Sequence, residues 1–127
     1  MRRVESQKSF ALIEEERYLP FRWLQSLGDP SVSFTVISPE LVIGQYEVDV
    51  ADFDVECLEL VEGNDPEVMC ILVMPEDLRS ATVNLKAPIV VNRPRQRGKQ
   101  VILTDERYPL RYRAFNLEAV PPVKNPC

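Results

Sequence analysis

Histidine is absent from this 127-residue chain, which removes Ser-His-Asp and Cys-His nucleophile pairs, imidazole acid–base chemistry and every His-containing metal site. Cysteine is scarce as well. Cys57, Cys70 and Cys127 form no CxxC pair and are odd in number, so neither a disulfide framework nor a zinc cluster is expected. Only four glycines occur, and none stands in a GxGxxG or GxxxxGK phosphate cradle. The longest apolar run, Val68 to Met74, falls far short of the ~20 residues that cross a bilayer. The opening MRRVESQKSF holds no apolar h-region of a signal peptide. The expectation is a cytoplasmic protein without cofactor or metal, to which most common enzyme mechanisms are closed.

With 45% hydrophobic and 28% charged residues, the chain has enough apolar material for one compact domain and too little length for two. Its net charge of -5 conceals a strong asymmetry. Residues 40–78 carry twelve acids and no base, whereas residues 79–113 carry nine bases and two acids, a balance of +7. An unpaired buried carboxylate costs several kcal/mol, so most of the twelve acids must face solvent and form a negative surface.

Alternation of period two dominates after residue 30. Phe34 and Val36 share one face of a strand over 33–37, and Val83 and Leu85 are the inward residues of a strand over 82–86. Residues 89–91 and 100–104 flank a polar connection, Arg93 to Lys99, in which Gly98 is free to take a positive φ; this predicts a long-looped hairpin. Residues 110–114 alternate in a last strand. Residues 9–14 and 22–27 are further strands, the second bounded by Pro20 and by Gly28-Asp29-Pro30. The run Val68 to Met74 suits a central strand covered on both faces. A short helix is expected over 52–60, with Asp52 as its N-cap and Asp54 and Glu56 in the first turn. Short strands punctuated by eleven prolines predict a mainly β fold, a small antiparallel β-barrel-like single domain with one short helix. Its span is 1–115, followed by a flexible Pro-containing tail over 116–127.

Little chemistry is left for the side chains to perform. A pair of carboxylates is all that glycoside hydrolysis requires, but no spacing here singles out two, and a solvated acidic face is the plainer account. The calcium-loop pattern DxDxDG is missing, because Asp49, Asp52 and Asp54 lack its spacing and its glycine. Arg93, Arg95, Arg97 and Lys99, with Arg111 and Arg113, offer an alternative reading as a small single-strand RNA-binding β-barrel that uses a basic hairpin. Against it stand the acidic half of the chain and the lack of aromatic residues interleaved in that loop.

Several blocks resemble the bacterial flagellar assembly factor FliW family. They are Phe10 to Ile13, Pro20 to Pro30, Phe34 to Val36, Tyr46-Glu47, the run Val83 to Asn92, Gly98 to Leu103 and Tyr108 to Arg111. The resemblance implies a non-catalytic domain that binds two proteins in turn. Flagellin is held before export. Once flagellin leaves, the freed factor captures CsrA, a dimeric RNA-binding repressor of the flagellin message, so synthesis is coupled to secretion. No direct contact with nucleic acid or membrane is implied. Only nine residues precede Phe10, where family members carry an opening hairpin. The chain is therefore expected as a monomer with an unpaired strand edge that invites self-association.

Two groups of residues follow as candidates. The negative surface suits a basic, RNA-binding partner. Glu47, Asp49 and Asp54 are its expected contacts, and Tyr46 and Phe53 are apolar anchors of the type that dominate hot spots. Within the family-like blocks, Asn84, Lys86, Pro88, Asn92, Gly98 and Lys99 are read mainly as structural: Pro88 marks a bend or edge, Gly98 relieves the hairpin, and Asn84 and Asn92 cap turns.

Overall fold

A computed structural model describes residues 9–49, 56–61 and 65–115. Among them, eight antiparallel strands form one curled, half-barrel sheet. They are β1 (Phe10–Ile13), β2 (Arg22–Ser26), β3 (Ser33–Ile37), β4 (Glu67–Val73), β5 (Thr82–Val83), β6 (Ile89–Asn92), β7 (Arg97–Gln100) and β8 (Tyr112–Arg113). The main path runs β1-β2-β3-β4-β5-β8, and the hairpin of β6 and β7 joins it at β4. The mainly β architecture expected from the alternation is present.

Strand β4 is the organiser because three strands share it. Its first residues, Glu67 to Met69, pair with β6. Cys70 to Leu72 pair with β3, and Leu72 and Val73 pair with β5. Its side chains alternate between two cores, as a pleat requires. Cys70 and Leu72 enter a cluster with Ile37, Val83, Leu85 and Val90, while Met69 packs with Leu24, Val36 and Ile89 on the opposite face. Both faces are covered from Met69 to Leu72, which is why the sequence reads as an apolar run there, whereas Val73 and Met74 at the end of that run are exposed.

Three local expectations are corrected. The hairpin turn is only Arg93 to Gln96, and the polar residues Arg97 to Gln100 are themselves strand β7, paired with β6 from Ile89↔Gln100 to Asn92↔Arg97. Gln96, at φ 53°, takes the left-handed position, whereas Gly98 lies in the ladder opposite Val91. Polar side chains suit β7 because, among the described residues, it pairs on one edge only. The ladder expected to run to Lys86 stops at Val83, and residues 84–88 turn before β6 begins.

A helix also forms where the sequence pattern predicts none. The α-helix α1 spans Glu40–Ile43 and is closed by Gly44, whose φ of 80° is one that side chains rarely adopt. Of the 52–60 segment, Glu56–Leu58 is a 3-10 turn, and Asp52, Phe53 and Asp54 lie outside the described residues. So does the tail over 116–127.

At one end of the sheet, β1 pairs only with β2 among the described residues. No helix among the described residues is long and apolar enough to cross a membrane.

Candidate functional site

The connection from β3 to β4 carries most of the acidic half of the chain. Strand β3 ends at Ile37, α1 turns the backbone, and Gly44 releases it into an extended stretch containing Tyr46 and Glu47. Tyr46 fixes this stretch against the sheet. Its hydroxyl donates to the backbone oxygen of Leu85, and its ring lies 4.5 Å from that of Tyr108 at 51°. The Tyr108 hydroxyl in turn accepts from the Glu47 amide at 3.0 Å. Burial and the neighbouring Cys70 thiol push the Tyr46 phenol up from its ordinary value. Tyr46 is thus half-buried and committed to the core, while Glu47 and Asp49 on either side of Val48 are exposed.

Between α1 and the start of β4 lies a cleft of about 400 Å³, with Pro39, Tyr46, Val48, Pro66 and Val68 as its apolar lining and Glu40, Asp65 and Glu67 as its carboxylates. These acids differ in their surroundings. Glu67 belongs to a quartet with Glu14, Arg22 and Arg93. Arg22 contacts the Glu67 carboxylate and lies 3.6 Å from Glu14, and Arg93 donates at 2.8 Å to Glu14 and at 3.1 Å to Glu67. Hydrogen bonding from Arg93, with help from Arg22 and against the cost of burial, holds the Glu67 carboxyl down to about 2. Glu14 is lowered as well, first by Arg93. Two arginines balance two glutamates, so Glu67 adds no open charge to the cleft. Glu40 and Asp65 are exposed and make no ion pair with the described residues.

The remaining candidates are dispersed through the framework. Asn84 accepts from the Ala87 amide at 3.0 Å and so holds the turn between β5 and β6. Pro88 is fully buried just before β6. Asn92 is buried and donates at 2.7 Å to the backbone oxygen of Leu58, tying the 3-10 turn to β6. Lys86 is exposed, and its backbone oxygen accepts from Leu103 at 2.8 Å. Lys99 lies in β7. These residues do not converge on one surface feature.

The basic hairpin is less basic than its sequence. Arg93 is consumed by the quartet, and Arg97 lies 3.8 Å from Glu59. The quartet thus withdraws Arg93 from the RNA-binding alternative, while the Arg97 pair is a loose surface contact and Arg95 is exposed. Among the described residues no group of three or more Cys, Asp and Glu side chains is placed to hold a metal ion.

The quartet escaped the sequence reading because its members are far apart in the chain, Arg22 and Glu67 by 45 residues and Glu14 and Arg93 by 79. The cleft escaped it for the same reason. A usable signal existed only for α1, where Pro39 and Gly44 bracket four residues in the order that starts and stops a helix.

Comparison with known proteins finds relatives of this sequence and fold. The family model described as FliW protein matches residues 4–114. The flagellar assembly factor FliW of Caldicellulosiruptor saccharolyticus is 43% identical over 111 residues, covering 87% of this chain and 72% of that protein. Its counterpart in Bacillus pumilus is 45% identical over 102 residues, covering 80% and 71%. A solved structure, described as the crystal structure of the flagellar assembly factor FliW, superposes with a TM-score of 0.78 at 37% identity and covers 86% of this chain and 76% of its own.

Proposed function

This chain belongs to the FliW family, and from that premise we propose that it is a non-catalytic flagellar assembly factor that binds flagellin before export and, when freed, captures the repressor CsrA. The exchange takes place in the cytoplasm and couples flagellin synthesis to secretion. The observation that carries the reading is the pairing of family membership with a concentrated acidic surface. Glu40, Glu47, Asp49 and Asp65 lie exposed on the connection from β3 to β4, with a rigid tyrosine pair beneath it.

Such a surface is suited to a basic protein. Complementary potentials steer encounter and raise the association rate, and the hydrogen bonds of Tyr46 and of the Glu47 amide hold the backbone beside Glu47 in place. Glu47 and Asp49 are the contacts on the described part of this surface, and Asp54 and Phe53 extend it along the sequence. Tyr46 acts from below by fixing the backbone that presents Glu47.

Calorimetry with purified CsrA and, separately, purified flagellin from the same organism tests the proposal. Saturable binding to each, with one displacing the other, is expected. Binding to neither overturns it.

A further inference from the structure

The cleft between α1 and β4 is a half-open recess with Glu40, Asp65 and Glu67 among its lining residues. We infer that this cleft seats an arginine or lysine side chain from a basic segment of the protein partner, an inference that rests on the docking reading above and adds a specific anchor to it.

Three properties select that occupant. The first is charge. Glu67 is neutralised within its own quartet, so the open charge comes from Glu40 and Asp65, two carboxylates without an ion-pair partner among the described residues. A cationic side chain entering the cleft is attracted by both carboxylates, whereas an acidic one is repelled.

The second is the lining. Pro39, Val48, Pro66 and Val68 give an apolar wall to a cleft with acidic residues at its sides. Long basic side chains have this same division, an aliphatic stem and a charged head. Tyr46 also lines the cleft, and with its hydroxyl already spent on Leu85 it adds apolar surface to this wall.

The third is size and donor geometry. About 400 Å³ lies near the bottom of the roughly 300–1,000 Å³ range of ligand clefts, suited to a single side chain with its flanking backbone rather than a folded surface. The alternative cationic occupant, a metal ion, is disfavoured because Glu40, Asp65 and Glu67 do not form a metal-holding group.

An anchored side chain and a diffuse field affect kinetics differently, and this provides the test. Loss of an anchor speeds dissociation, whereas loss of a rim charge slows association. The experiment compares CsrA binding by the parent chain with two variants, the near-isosteric pair Glu40→Gln with Asp65→Asn, and Val48→Trp, which fills the cleft and leaves its charges in place. Both are expected to raise the CsrA dissociation rate at least tenfold, with thermal melts showing that each variant remains folded. The paired variant is readable even if Val48→Trp destabilises the fold, because both of its sites are exposed. If the parent binds CsrA and the folded paired variant dissociates at the parent's rate, the anchor is overturned and the docking reading stands. If the parent binds neither CsrA nor flagellin, the docking reading itself fails and the anchor with it.

Discussion

Arg93 reaches from the β6–β7 turn to Glu67 at the start of β4, donating at 3.1 Å to the carboxylate that Arg22 also holds. This contact closes the quartet that joins the ends of β1 and β2 to β4 and β6, so one carboxylate ties together strands that are distant in the chain. Its charge state then becomes a condition of stability.

Glu67 is held down to about 2 from an ordinary 4.5, and Glu14 is lowered in the same direction. A carboxyl depressed by folding stabilises the native state fully above its unfolded value, and that contribution is lost as pH falls through the folded one. Urea midpoints should therefore fall as pH drops from about 4.5 towards 2, and Glu67→Gln should flatten this limb. An unchanged acid limb in that variant would show that the quartet does not act as described. At pH 7, Glu67→Ala should cost about 2 kcal/mol or more, because Arg22 is largely buried and loses its main partner.

Tyr46→Phe separates a framework role from a direct contact. The variant removes the hydroxyl that satisfies the oxygen of fully buried Leu85, so denaturant unfolding should show a loss of about 1 kcal/mol. CsrA affinity should stay within a factor of about three, since the ring and the backbone position of Glu47 remain. A large loss of affinity at unchanged stability would instead make the hydroxyl itself a contact.

Thiol reactivity reports on the core. Cys70 is fully buried in β4, and burial, opposed only by the Tyr46 hydroxyl, pushes its thiol up to about 12. Cys57 is exposed. Alkylation of the native protein at pH 8, mapped by mass spectrometry, should label Cys57 and spare Cys70 until denaturant is added. Comparable native labelling of the two would mean that the sheet opens around β4.

Much of this fold is written in local pattern, and the site is not. Strands β2, β3 and β4 are legible because each alternates or runs apolar against a core, and Pro20 and Gly28-Asp29-Pro30 punctuate them. Strand β7 is illegible by the same rule. Arg97 to Gln100 carry no apolar alternation, and the ladder to β6 alone makes them a strand. At four residues, α1 is too short for periodicity to reveal. The twelve-acid run foretells an acidic face, but which acids remain open for a partner depends on where Arg22 and Arg93 arrive, and only the tertiary structure determines that.

Association kinetics decide whether the acidic connection from β3 to β4 receives CsrA. CsrA binding by the parent and by the triple variant Glu47→Lys, Asp49→Lys and Asp54→Lys is followed at low salt and again near ~0.5 M, where screening shortens the reach of charge. Association of the triple variant should be slower by an order of magnitude or more at low salt, with the gap closing as salt rises. An unchanged association rate at low salt, in a variant that melts like the parent, would contradict it and move the docking face elsewhere on the sheet.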